Sequence, residues 1–132
     1  MKKYIVISAG VVIVFIFFSS CDKKIDNKCL SYTTAQVRKV VGPNTALPNQ
    51  EIDLTVFYYL NNSCGQFEGL EATSNGNSIM ISLKAKDEGC ACADVLLGGQ
   101  IIYKFKAEQA GIYYLKFLQP TKTYFIDTII VN

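Results

Sequence analysis

The sequence predicts an all-β fold, an antiparallel sandwich of about seven strands, on three observations. Apolar and polar residues alternate through several runs, no window carries a convincing helical period, and turn-forming residues break the runs at short intervals. Strands this short and this numerous in roughly 100 residues suit two sheets packed face to face.

The first strand is expected near residues 35–41. Residues 52–60 give the clearest signal, because Ile52, Leu54, Val56, Tyr58 and Leu60 fall on one face by strict period two. Next, Ser74-Asn75-Gly76-Asn77 contains Asn-Gly, whose tolerance of positive φ marks a tight hairpin joining residues 66–73 to residues 78–86. In the second of these, Ile79, Ile81, Leu83 and Ala85 oppose Met80, Ser82, Lys84 and Lys86. Further strands are expected at residues 100–107, 112–118 and 123–131.

Gln109-Ala110-Gly111-Ile112-Tyr113-Tyr114-Leu115, following the strand that ends at Ala107, resembles the E–F corner of immunoglobulin-like domains. The resemblance implies a structural tyrosine at Tyr113, its hydroxyl bonded to backbone near Glu108 and its ring beneath a turn that Gly111 permits. Leu115 stands where antibody domains carry their second core cysteine, and the chain has no tryptophan, so the expectation is an Ig-like sandwich over residues 33–132 without the antibody core.

Residues 1–20 carry a different signal. Lys2 and Lys3 precede an apolar stretch, residues 4–18, interrupted only by Ser8 and Gly10. As a helix it would span about 22 Å, less than the roughly 30 Å hydrocarbon layer. Phe18-Ser19-Ser20-Cys21-Asp22 then resembles the lipobox of bacterial lipoprotein signal peptides. The resemblance implies cleavage before Cys21 and a diacylglycerol on its sulfur, with palmitate-type acylation of the new amino group; an uncleaved anchor is the alternative. Residues 21–32 would form a short polar tether like those of Bacteroidota lipoproteins, and the protein would sit in the cell envelope, on the outer membrane, periplasmic or surface side left open. Without Lys2 and Lys3 the remaining chain has 11 basic and 11 acidic side chains, which leaves no footprint for nucleic acid.

An exported compartment favours disulfides among Cys29, Cys64, Cys90 and Cys92 over a zinc site, whose ligand pairs are usually two to four residues apart. With the turn centred on Asn75 and Gly76, Cys64 falls opposite Asp87, near both Cys90 and Cys92. A direct Cys90–Cys92 bridge would strain a small ring. The preferred pairing is Cys64–Cys90 with Cys29–Cys92, the swapped pairing nearly equal to it.

Catalytic residues are scarce. The chain has no histidine and no glycine-rich phosphate loop, and the pairs Glu68 with Glu71 and Asp87 with Glu88 read as solvated charges rather than catalytic or calcium-binding groups. No metal and no cofactor is expected. Phe57 and Tyr59 lie opposite Leu54 and Val56; with Tyr103, Tyr114 and Tyr124 they form either a tyrosine-rich patch for protein or sugar contacts or a buried second face. The expectation is a non-catalytic, lipid-anchored binding or structural module. The alternatives are an accessory subunit that meets a protein partner in the envelope, and an envelope thiol enzyme or hydrolase.

Overall fold

The computed structural model describes residues 29–132; the expected signal segment, Cys21 and residues 22–28 lie outside them. The strands are β1 (Leu30–Thr34), β2 (Gln36–Val41), β3 (Thr45–Ala46), β4 (Glu51–Leu60), β5 (Gly65–Asn75), β6 (Ser78–Glu88), β7 (Leu97–Lys106), β8 (Gly111–Leu118) and β9 (Tyr124–Val131). They make a β-sandwich of two sheets, one of three strands in the order β2-β4-β7 and one of six in which β1, β5 and β8 all pair with β6, followed by β9 and β3.

β4, β6, β7, β8 and β9 follow the alternation in their sequences, whereas β5 shifts register between Phe67 and Gly69. The inner faces bring together Ile52, Leu54, Val56 and Phe105 of the small sheet with Ile81, Leu83, Leu115, Phe117 and Ile129 of the large one, all buried. Burying a side chain of this size contributes about 1.5–3 kcal/mol relative to leaving it in water. Edge-on aromatic contacts knit the two layers, Phe105 to Tyr113 at 5.5 Å and Tyr103 to Phe117 at 6.4 Å between ring centres.

β6 organises the large sheet. Along one edge β5 pairs with it from Asn75↔Ser78 to Gly65↔Asp87. The other edge is divided, with β8 alongside Ser78–Ile81 and β1 alongside Lys84–Glu88. The β6–β8 pairing is parallel, as is the short β3–β9 pairing, and this departs from the expectation of antiparallel neighbours throughout. Between β6 and β8 the chain crosses to the small sheet and runs back as β7, so β8 re-enters the large sheet in the direction of β6.

Two boundaries differ from expectation. The first strand begins at Leu30, inside the stretch read as a tether, and breaks at Ala35, where the chain passes from the large sheet to the small one. Ala35 is buried at the crossing and its N–H donates to the Leu83 carbonyl at 2.8 Å. With the two-residue β3 this brings the strands to nine among the described residues. The hairpin turn also falls one residue later, on Gly76 and Asn77. Of the two only Gly76 has positive φ, at 58°. That is what the first loop position of a type II′ turn requires.

Candidate ligand-binding groove

Of the outer faces, that of the small sheet is the more unusual chemically. On β4, Phe57 and Tyr59 point away from the core and are half-buried. In a regular strand only alternate residues of β2 would share that side. The register shifts between Val37 and Lys39: Val37 pairs with the inward Tyr58 and Lys39 with the outward Phe57, leaving Arg38 as the extra residue of a β-bulge. Two consecutive basic side chains therefore stand on one face. The Arg38 guanidinium lies over the Tyr59 ring, 5.7 Å from its centre. This is a favourable cation–π placement.

The opposite flank is made by β7. Tyr59 pairs with Gly98 and Tyr58 with Gly99, so one tyrosine crosses each face of a two-glycine segment. A Cβ on Gly98 would crowd the Tyr59 ring at 3.3 Å, and one on Gly99 would stand 2.5 Å from the Tyr58 ring and hydroxyl, so a larger residue at Gly99 displaces Tyr58. Tyr58 is held against Phe67 at 5.2 Å between ring centres. Burial pushes its phenol above the usual range. The result is an open groove of about 510 Å³ lined by Arg38, Lys39, Phe57, Tyr59, the two glycines and Gln100.

The groove is cationic, with Arg38 and Lys39 on adjacent positions of its wall. Lys104, farther along the same face, is held by Glu51 at 2.7 Å and Asp53 at 3.3 Å. Their hydrogen bonds and charges raise its pKa. On the large sheet Lys84 pairs with Glu71, and Lys86 pairs with Glu88 and Glu68; the Glu88 hydrogen bond comes first in raising the Lys86 pKa. Among the described residues neither Arg38 nor Lys39 forms an ion pair, and no acidic residue lines the groove.

The five aromatic residues expected to share a patch are dispersed. Phe57 and Tyr59 line the groove. Tyr103 pairs with Leu54 and points into the sandwich, where burial raises its pKa. Tyr114 and Tyr124 lie on the outer face of the large sheet, beside the exposed Met80, Ile112, Ile126 and Ile130. Tyr103 separates from Phe57 and Tyr59 by strand alternation, and Tyr114 and Tyr124 because β8 and β9 belong to the other sheet.

At one end of the sandwich Tyr113 is buried, and its hydroxyl donates to the Gln109 carbonyl at 2.9 Å, one residue beyond the Glu108 region expected. Gly111 has φ 157°, and a Cβ there would stand 3.0 Å from the Asn77 side-chain amide. At the other end the disulfides are Cys29–Cys90 and Cys64–Cys92, with Cα separations of 4.9 and 5.5 Å. This corrects the preferred pairing and is the swapped one. β6 ends between β1 and β5, and the Gly89 N–H donates to the Cys29 carbonyl, which leaves Cys90 on the β1 side. Ser63 and Ala93 then exchange two hydrogen bonds, Ser63 N–H to the Ala93 carbonyl and Ala93 N–H to the Ser63 hydroxyl, which returns Cys92 to Cys64. Cys21 lies outside the described residues.

Comparison with curated proteins and with solved structures returns no significant match. A family model described as the ORF11 beta-sandwich domain matches residues 54–125, from within β4 to the start of β9, taking in Phe57, Tyr59, both groove glycines and three of the four paired cysteines. The chain belongs to the ORF11 beta-sandwich domain family.

Proposed function

We propose that this protein is a non-catalytic binding module of the bacterial cell envelope, held to the membrane by a lipid on Cys21 and using the groove of the small sheet as its binding surface. The observation that carries the binding role is the bulge at Arg38: it presents two unpaired cations beside an aromatic floor, and bulges commonly re-aim side chains at functional sites. The envelope location rests on the lipobox-like Phe18-Ser19-Ser20-Cys21 and agrees with two disulfides, which persist in oxidising compartments.

Metabolic labelling with a palmitate analogue tests the anchor: the wild type takes up label and Cys21→Ser does not. Affinity capture from detergent-solubilised envelopes tests the groove: the wild type retains a reproducible component that the Arg38→Ala/Lys39→Ala double variant loses. A second reading, an accessory subunit docked on a protein partner, is favoured by the apolar outer face of the large sheet, where Ile112, Ile126 and Ile130 are about half exposed. Under that reading Ile126→Asp abolishes capture and the double variant does not.

A further inference from the structure

We infer that the groove recognises an acidic saccharide, its carboxylate held by Arg38 and Lys39 and its ring lying on Phe57. This deepens the binding-module reading and rests on it.

Charge comes first. Among the described residues Arg38 and Lys39, like Lys106, Lys116 and Lys122, have no carboxylate partner, but these two stand side by side in a groove that no acidic residue lines. Arg38 lies over the Tyr59 ring, which keeps its guanidinium at the groove, and its planar fork of donors matches a carboxylate in bidentate fashion. Lys39 adds a second point charge on the same side because of the bulge.

Shape argues for a sugar. Between the cations and the far wall the floor is aromatic: Phe57 lies between Lys39 on one neighbouring strand and Gln100 on the other. A pyranose ring offers an apolar face of C–H groups to such a floor and hydroxyls around its rim. The Gln100 amide supplies two donors and an acceptor for those hydroxyls. β7 pairs only with β4, so its outward backbone N–H and C=O groups are open beside Gly98, where no side chain screens them.

An acidic peptide meets this geometry less well. A strand added to the free edge of β7 would run about 14 Å from β2, three strand spacings away, and its carboxylates would not reach Arg38 or Lys39. A ligand that uses both walls must lie across the strands, over about 10 Å, with a flat body between a charged end and a hydroxylated one.

The test uses the oxidised full chain in detergent, titrated with short oligogalacturonate and, as control, the same oligomer with its carboxyls methyl-esterified. The acidic oligomer binds and the esterified one does not; Arg38→Ala and Lys39→Ala each weaken binding about tenfold, while Lys104→Ala leaves it unchanged. The unfolding midpoint of each variant, measured in parallel, shows that the fold is intact. Equal binding of the esterified oligomer, or acidic-oligomer binding that survives the double variant, overturns the assignment. Competition by polyglutamate at equal strength also overturns it, in favour of an acidic peptide. If no saccharide binds but the double variant still loses its captured envelope component, the saccharide falls and the binding module stands; if capture is also indifferent to the double variant, both fall.

Discussion

The two ends of the sandwich are closed by different means. At the hairpin end Tyr113 fills the space beneath the β7–β8 turn, packs on Phe105 and bonds to the Gln109 carbonyl, while the Tyr114 N–H donates to the Asn77 carbonyl. At the opposite end Leu30, Val95, Leu96 and Leu97 are partly or largely exposed, and what joins the segments is two disulfides with a few backbone hydrogen bonds. In a domain of this size one end can be packed while the other has too little apolar cover to hold itself. Cross-links, which act mainly on the unfolded chain, then do what packing cannot.

The largest expected effect breaks that comparison at its covalent side. Replacing Cys29 and Cys90 by serine removes a link across 61 residues. Stability then falls by about 4 kcal/mol. The Cys64 and Cys92 pair lies 28 residues apart. By the same reasoning it is worth about 3.5 kcal/mol. Urea melts under non-reducing conditions measure both. A smaller loss than at Tyr113 would mean that the exposed end is held by packing after all.

At the packed end, Tyr113→Phe leaves the Gln109 carbonyl without its donor and costs about 1–3 kcal/mol, while Tyr114→Phe, on the outer face, changes stability by less than about 0.5 kcal/mol. Equal losses in the same melts would place the support elsewhere. Between the two ends, burial raises the pKa values of Tyr58 and Tyr103. Their folded values exceed the unfolded ones, so their contribution is complete below about pH 10 and is lost as pH rises through the folded values. Stability measured against alkaline pH therefore falls above about 10, and Tyr103→Phe flattens the decline. The smallest effect belongs to the exposed Lys104 with Glu51 and Asp53: Lys104→Ala leaves the urea midpoint unmoved, because solvent screens the pair.

Much of this architecture is written in period two. β4 and β6 bury the residues their alternation marks, and Asn-Gly announces the hairpin to within one residue. β1, Leu-Ser-Tyr-Thr-Thr, is five residues long and its alternation marks no buried face, since Leu30 and Tyr32 are exposed, and β3 is too short to carry a pattern; both exist because neighbouring strands offer an edge. The disulfide pairing depends on that unreadable β1 and on the link between Ser63 and Ala93, so strand spacing alone could not choose it. For the groove, Phe57 and Tyr59 are legible as outward residues. The bulge is not, since nothing local to Val37-Arg38-Lys39 distinguishes a shifted register from a regular one, and without it Lys39 would face the core.

Cys90 and Cys92 stand one residue apart, and this bears on how the molecule is oxidised. Four thiols can pair in three ways. The pairing that joins Cys90 to Cys92 is barred by ring strain, and the other two differ only in which of these neighbours goes with Cys29. While a single bridge exists, the free thiol of the couple lies beside the bonded sulfur and can displace it in one exchange. A wrong first choice is therefore a short-lived intermediate that the chain edits by itself, with the docking of β1 on β6 as the template against which it is corrected.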